Sequence, residues 1–254
     1  MLVDVHCHIG FPQFDQDRDA VIQRAKDSKV VAILESGTEY ESNIRTLELA
    51  KKYDIIKPSL GIYPTYAEKL SEQEFARDLK FIKDNKEKIL AIGEVGLDYH
   101  HTTDEQLKKI QQDRFHTLLE QLGKLKKPFV VHTRKAEKDV IDILESKAVK
   151  KVDFHCFTGN YKLVKRVIDN GWHFSIPPNI LQTQHFQGVV NLAPFSQLLT
   201  ETDSPYLSPP NEQRNEPSFV KFTVKKIAEI KKVDEHEAEN IIFMNYQKLF
   251  LSPQ

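Results

Sequence analysis

Short apolar runs alternate with amphipathic stretches along the whole sequence, and this alternation constrains the fold more than any other feature. Eight runs rich in Val, Ile, Leu and Phe predict strands at residues 2–6, 30–35, 57–63, 89–95, 128–132, 151–156, 172–176 and 198–202. Helix-period stretches lie between and after them, at residues 18–27, 42–53, 72–85, 104–126, 138–146, 161–170, 184–191, 218–231 and 234–250. Strands that alternate with helices form parallel sheets. The pattern predicts an α/β fold, a single (β/α)8 TIM barrel.

Six side chains that can bind metal ions stand at or just after the ends of predicted strands. They are four imidazoles and two carboxylates: His6, His8, Glu94, His132, His155 and Asp203. His6 and His8 are separated by one residue, so on a strand both rings face the same way and can chelate one ion. His132 and His155 end successive strands and are expected to be neighbours. Because a TIM barrel carries its active site at the C-terminal ends of its strands, the six residues predict a site for two divalent metals.

A doubly wound open sheet is the alternative architecture for this pattern. It would separate the first strand from the last, whereas a closed barrel brings His6 to Asp203. The chain has 254 residues, a length at which one barrel domain is common, so we expect one domain over residues 1–254.

Charge and cysteine content restrict the function and the compartment. Lys and Arg number 36 against 37 Asp and Glu, which excludes a polycationic coat for nucleic acid, so a phosphate-bearing substrate would be held locally. Cys7 and Cys156 each adjoin a candidate ligand histidine, and strand alternation predicts that both thiols point away from the barrel mouth. We expect them to be small buried residues in a reducing compartment.

The beginning of the sequence has no basic region followed by a long apolar run, so no secretory signal is expected. No stretch approaches the roughly 20 apolar residues that span a bilayer. We therefore expect a cytoplasmic protein with no membrane partner, and a monomer rather than an obligate oligomer.

Six short motifs, in order along the chain, resemble the TatD family of metal-dependent deoxyribonucleases within the amidohydrolase-type barrels. They are D-x-H-C-H at 4–8, G-E-x-G-L-D-Y at 93–99, H-x-R-x-A at 132–136, H-C-F-x-G at 155–159, E-T-D-S-P-Y-L at 201–207 and N-E-P at 215–217. The resemblance implies that His6, His8, Glu94 and Asp203 hold one metal ion. It implies that Glu94 bridges to a second ion held by His132 and His155.

The resemblance also implies roles for residues around the metals. Arg134 would meet a substrate phosphate, and Asp98 would orient a ligand histidine. The family often has histidines in a G-I-H-P-H segment after the third strand, but this chain has Tyr63 and Thr65 there. We expect Tyr63 to contact substrate, and Tyr63, Tyr66 and Tyr99 are candidates for stacking on terminal bases.

The hypothesis for the reaction is hydrolysis of phosphodiester bonds by a water that two divalent ions activate, with Zn, Mn and Mg all compatible with the ligands. Asp203 would accept the proton, and Glu94 would bridge the ions. The substrate would be DNA, single-stranded or at frayed ends, processed as a 3′–5′ exonuclease. Loops at 63–66, 100–103 and 208–217 are expected to wall the mouth.

The sequence is also compatible with other functions. The same metal site could serve a D-aminoacyl-tRNA deacylase, with aminoacyl-tRNA as the partner, or another ester or amide hydrolase. A metal-stabilised barrel that only binds a partner is the non-enzymatic alternative.

Overall fold

The computed structural model describes residues 1–252 and has an eight-stranded parallel sheet in which each strand pairs with the next along the chain. The strands are β1 (Leu2–Cys7), β2 (Val30–Ser36), β3 (Ile56–Leu60), β4 (Ala91–Asp98), β5 (Phe129–Arg134), β6 (Val152–His155), β7 (His173–Ile176) and β8 (Leu198–Thr200). They form a nearly closed barrel, which confirms the predicted TIM-barrel fold. Pro253 and Gln254, the last residues of the domain predicted over 1–254, lie outside the described residues.

Helices connect the strands and cover the outside of the barrel. They are α1 (Arg18–Asp27), α2 (Tyr40–Lys52), α3 (Pro64–Ala67), α4 (Glu72–Asp84), α5 (Glu105–Leu122), α6 (Glu137–Ser146), α7 (Tyr161–Asp169), α8 (Gln184–Leu192), α9 (Val220–Lys231) and α10 (Glu235–Tyr246). Predicted helix 234–250 is divided, because α10 ends at Tyr246 and a π-helical turn, Gln247–Leu251, follows. None of the described helices combines the length and apolar character needed to cross a bilayer.

Local sequence signals fix several helix ends. Ser71 caps α4 in a capping box: its hydroxyl accepts from the Glu74 N–H at 3.2 Å, and the Glu74 carboxylate accepts from the Ser71 N–H at 2.8 Å. Gly171 follows the end of α7 with a φ of 73°, a conformation that glycine adopts without steric cost. Both signals are readable in the sequence, and both ends are where the pattern predicts them.

The seam between β8 and β1 is closed by side chains as well as by the backbone. The Thr200 hydroxyl donates to the Val3 carbonyl at 2.7 Å. Asp4 accepts from the Thr202 N–H at 2.9 Å and from the Thr202 hydroxyl at 2.6 Å. The Asp203 N–H then donates to the His6 carbonyl at 2.9 Å, so the two ends of the sheet meet and the open-sheet alternative is wrong.

The side chains of β6 alternate between two layers. Phe154 packs against Trp172, with ring centroids 5.7 Å apart, in the layer between sheet and helices. Its neighbours Asp153 and His155 therefore face the barrel interior. The same alternation on β7 turns Phe174 outward and Ser175 inward, and all of these residues except Trp172 belong to strands that end at the same mouth.

The ends of β8 and β4 differ from the predicted strand ends, and both differences affect the site. β8 ends at Thr200, so Asp203 lies in the following loop, where its φ is 53°. β4 runs on to Asp98, which places Glu94 within the strand, at a register shift between Ile92 and Val95. Gly61 makes room for it, because a Cβ there would lie 2.3 Å from the Glu94 carbonyl oxygen.

Candidate metal centre

Both oxygens of the buried Glu94 carboxylate are surrounded by imidazoles, and they divide the centre into two half-sites. The first half-site consists of His6, His8 and Asp203 around Glu94 Oε2. His8 Nε2 lies 3.4 Å and His6 Nε2 lies 3.6 Å from that oxygen. Both nitrogens lie 3.5 Å from Asp203 Oδ1. The four donors thus face a common point where β1, β4 and the loop after β8 meet.

The second half-site consists of His132 and His155 around Glu94 Oε1. His132 Nδ1 lies 2.8 Å and His155 Nε2 lies 2.9 Å from that oxygen, and the two nitrogens are 3.1 Å apart. The His6 and His155 rings stack with centroids 3.9 Å apart, so the half-sites adjoin. All six residues that the sequence singles out as candidate ligands are therefore brought together.

The donor distances fit bound divalent ions. Two ligand atoms held about 2.1 Å from one ion lie roughly 3.0–3.5 Å apart at ordinary coordination angles. The separations in the first half-site lie near the upper end of that range, and those in the second lie near its lower end. His6 Nε2 is buried and has no hydrogen-bond partner among the described residues, as expected of an atom whose partner is an ion.

Each histidine in the first half-site is held from behind by a neutral group of Ser36. The Ser36 hydroxyl lies 3.1 Å from His6 Nδ1, and the Ser36 carbonyl accepts from His8 Nδ1 at 2.9 Å. These contacts direct Nε2 of both rings toward Glu94. Ser36 ends β2, the neighbour of β1, so one residue orients two rings.

In the second half-site the groups behind the histidines are carboxylates. His132 Nε2 lies 3.2 Å from Asp98 Oδ2, and His155 Nδ1 lies 3.8 Å from Glu201 Oε1. Glu201 is fully buried and accepts from the Ser175 hydroxyl at 2.5 Å. Asp98 also accepts from the Tyr63 hydroxyl at 2.9 Å and contacts His101 Nδ1 at 2.7 Å.

Burial and the neighbouring imidazoles set the protonation of the carboxylates. Burial raises the pKa of Glu94, but His155 and His132 outweigh it and hold the pKa well below its usual range. Burial also raises the pKa of Asp203, and His6 and His8 again reverse the shift. Both carboxylates therefore carry negative charge, as metal ligands must.

The two histidines of the first half-site differ in charge before an ion binds. Burial lowers the pKa of His6 to about 4. Burial also lowers the pKa of His8, but Asp203 and Glu94 outweigh it and raise the pKa to about 9. At neutral pH a proton is thus held on His8 and not on His6.

A cavity of about 940 Å³ opens from the metal centre to solvent. Its lining includes His8, Glu94, His132, His155 and Asp203, and its walls include the two predicted substrate contacts, Arg134 and Tyr63. Arg134 ends β5 and is exposed, and no ion-pair partner lies within 4 Å of it in residues 1–252. The Tyr63 hydroxyl is occupied by Asp98 and lies 3.2 Å from His132 Nε2, so only its ring is free to contact a substrate.

Several expectations about the mouth are wrong. Tyr99 does not line the cavity, because its hydroxyl bonds to Asp139 on α6 at 2.9 Å. The loop at 208–217 contributes no lining residue among those described, and Leu207, just before it, does. Cys156 lines the cavity instead of pointing away, because β6 ends at His155 and Cys156 has a φ of 47°, which ends strand alternation.

The sequence did not reveal Ser36 and Glu201 as partners of the candidate ligands. Ser36 is an ordinary residue at the end of an apolar run, and nothing in the sequence shows which strand lies beside it. Glu201 stands two residues before Asp203 in the E-T-D-S-P segment. Its closeness to Asp203 in the chain was the available signal. A carboxylate buried there needs a partner, and a candidate ligand histidine can be that partner.

Known proteins are similar to this chain along almost its whole length. The sequence profile of the family described as TatD related DNase matches residues 3–251. An uncharacterised metal-dependent hydrolase of Methanocaldococcus jannaschii is 38% identical over 98% of this chain and 96% of its own. The human deoxyribonuclease TATDN3 is 34% identical over 98% of this chain and 94% of its own. An uncharacterised metal-dependent hydrolase of Bacillus subtilis, YabD, is also 34% identical, over 98% and 99%.

Solved structures show the same barrel. A TatD homologue from Escherichia coli superposes with a TM-score of 0.90 at 25% identity, covering 99% of this chain and 98% of that one. A hydrolase of the TatD family from Entamoeba histolytica superposes with a TM-score of 0.89 at 22% identity, covering 98% and 97%.

Proposed function

Because this chain belongs to the family of TatD related DNases and is a metal-dependent hydrolase, we propose that it is a deoxyribonuclease that uses two divalent ions. The observation that carries the proposal is the arrangement of five donor residues around the two oxygens of Glu94. The name of the human relative supports DNA as the polymer that is cleaved.

The residues of the two half-sites would hold one ion each, and Glu94 would contribute one oxygen to each ion. Bound divalent ions supply positive charge that lowers the pKa of a water and stabilises the charge that develops on phosphate oxygens. The mixed imidazole and carboxylate donors suit Zn or Mn and also accept Mg.

Asp203 is the residue we assign as proton acceptor for the attacking water. Its side chain is 15% exposed and lines the cavity, whereas the Glu94 side chain is only 3% exposed. A base must reach the proton that it takes, so the more accessible carboxylate is suited to the role. Its low pKa, set by His6 and His8, keeps it deprotonated at neutral pH.

Arg134 would hold the substrate phosphate. Its guanidinium stands at the C-terminal end of β5, on the wall of the cavity and free of carboxylate partners within the described residues. A guanidinium pairs with a phosphate through two charge-assisted hydrogen bonds, which fixes the position of the scissile group.

The depth of the centre favours strand ends over intact duplex. The candidate ligands lie at the base of the cavity, between 0% and 8% exposed for the four imidazoles. Enzymes with buried reactive centres act on nucleotides that can be separated from the duplex. We propose that the protein removes nucleotides from single-stranded or frayed 3′ ends, the direction that the family resemblance implies.

Labelled DNA of two shapes tests this function. Purified protein, stripped of metal by a chelator and reloaded with Mn or Zn, is given a 3′-end-labelled linear single strand and a closed circle of the same sequence. We expect mononucleotide release from the linear strand only, with no release in chelator.

Equal cleavage of the circle would refute the exonuclease assignment. Failure to cleave either form, with rapid release of D-amino acids from D-aminoacyl-tRNA, would move the assignment to the deacylase.

A further inference from the structure

Two aromatic side chains form a wall of the cavity beside the first half-site. Phe11 and Tyr206 both line the cavity, and their rings meet edge to face, with centroids 6.4 Å apart and planes 78° apart. We call this pair the aromatic corner. It is separate from Tyr63 and Tyr66, which line the cavity from the β3 side.

Both aromatic residues are positioned by the same kind of turn. Phe11 follows His8 by three residues, and its N–H donates to the His8 carbonyl at 3.0 Å. Tyr206 follows Asp203 by three residues, and its N–H donates to the Asp203 carbonyl at 2.9 Å. Each tight turn places the aromatic residue close in the chain to its own candidate ligand. The Phe11 ring lies on the His8 imidazole, with centroids 4.6 Å apart and planes 17° apart.

The backbone behind the corner is held firmly. The side-chain amide of Asn215, a fully buried residue, donates to the carbonyls of Tyr206 and Thr202, both at 2.7 Å. Arg18 donates to the Phe11 carbonyl at 3.2 Å. Although its backbone is fixed, Tyr206 is 50% exposed, and no hydrogen-bond partner for its hydroxyl lies within the described residues. A fixed and open aromatic face is suited to stacking.

The corner stands across the mouth from Arg134. It is carried by the loops after β1 and β8, which are neighbours at the seam, and β5 lies four strands from β1 around the barrel. A phosphate held between the metal centre and Arg134 therefore has its nucleoside free to extend toward the corner.

We propose that the aromatic corner binds the base of the terminal nucleotide, with the base stacked on Tyr206 and its edge against Phe11. This inference rests on the proposed deoxyribonuclease function and adds a base-binding subsite to it. Every base has a π face, so stacking selects for the presence of a base and tolerates its identity. The corner would position the strand end without sequence specificity.

Single strands with a missing base test the subsite. Three strands are compared: a natural one, one with a tetrahydrofuran abasic unit at the 3′-terminal nucleotide, and one with the same unit in the middle. Loss of one base–aromatic stack is expected to lower kcat/KM roughly 5- to 150-fold for the terminal modification. The change should reside mainly in KM, and the internal modification should have no effect on release of the first nucleotide.

Variants connect the effect to Tyr206. Tyr206→Ala should lose the same factor on the natural strand and equal the wild type on the terminally abasic strand, whereas Tyr206→Phe should keep the preference. Tyr161→Ala is the matched control, because Tyr161 is also 50% exposed but does not line the cavity. It should leave all three rates unchanged.

The outcomes separate this inference from the proposed function. If the wild type releases terminal nucleotides equally well with and without a base, the subsite is refuted and the deoxyribonuclease stands. A base preference that survives in Tyr206→Ala also refutes the subsite. If no strand is cleaved by metal-loaded wild type, both the function and the subsite fail.

Discussion

The two half-sites share Glu94 but differ in what stands behind their histidines. In the first half-site the rear nitrogens of His6 and His8 meet the hydroxyl and the carbonyl of Ser36. In the second, the rear nitrogens of His132 and His155 face the carboxylates of Asp98 and Glu201. A carboxylate behind a ligand imidazole makes the imidazole a stronger donor, and a neutral group does so less.

The half-sites also differ in how far their carboxylates are exposed to solvent. Asp203, the proposed proton acceptor, belongs to the first half-site, and its side chain is the more exposed of the two central carboxylates. We therefore expect the second half-site to bind its ion more tightly and the first to hold the exchangeable ion next to the chemistry. On this proposal the second half-site anchors its ion, and the first carries out the reaction.

Asp203→Asn should have the largest effect and should separate chemistry from anchoring. The amide is nearly isosteric but accepts a proton poorly, so hydrolysis of single-stranded DNA should fall about 10²- to 10⁴-fold. Steady-state rates measure this, and elemental analysis should still find metal bound to the variant. Near-normal turnover with metals bound would make Asp203 a spectator ligand.

Asp98→Asn should weaken the second half-site selectively. Losing the charge behind His132 is expected to lower metal affinity there about 10- to 100-fold, and the first half-site should be unaffected. Calorimetric titration with Zn resolves the two affinities. Asp139→Asn is the control, since Asp139 bonds to Tyr99 away from the cavity. Equal weakening of both half-sites would contradict the division.

Metal binding in the first half-site should strengthen as pH rises. Because the pKa of metal-free His8 is raised to about 9, an incoming ion must displace a proton at neutral pH, whereas His6, at about 4, is already neutral. Because binding releases this one proton, the apparent affinity for the metal ion should rise about tenfold per pH unit below pH 9. Titrations in buffers of different ionisation enthalpy count the protons released. An affinity that does not change between pH 6.5 and 7.5 would contradict this assignment.

Ser36→Ala should have the smallest effect. It removes one neutral hydrogen bond to His6 and leaves the carbonyl that holds His8, so the loss is about 1 kcal/mol, or roughly fivefold in affinity. The same Zn titration measures it. A loss as large as that of Asp98→Asn would remove the contrast between the half-sites.

The sequence predicted which six side chains converge, because they stand at or near the C-terminal ends of strands, where this fold class places its active sites. His6, His132 and His155 needed only the rule that strand ends converge. Asp203 was found although its strand ends three residues earlier, because the seam returns the loop to β1. The barrel needed only the alternation of apolar runs and amphipathic stretches.

Contacts between strands and local backbone conformation could not be predicted in the same way. The partnership of Ser36 with two histidines depends on the register between β1 and β2, which periodicity does not encode. Cys156 faces the cavity because of one residue with positive φ, which a strand pattern cannot show. Tyr99 was mistaken for a mouth residue because its partner, Asp139, lies on a helix 40 residues away in the chain.

The seam between β8 and β1 also determines when the first half-site can form during protein synthesis. His6 lies on the first strand of the barrel and His8 directly after it, but Asp203 follows the last strand. Proteins fold from the N-terminus during synthesis, so a nascent chain cannot assemble the full set of donors until β8 has been made and has reached β1. A complete first half-site is therefore a signal of a finished barrel, and chains that stop before β8 should be recognisable by their weak retention of metal.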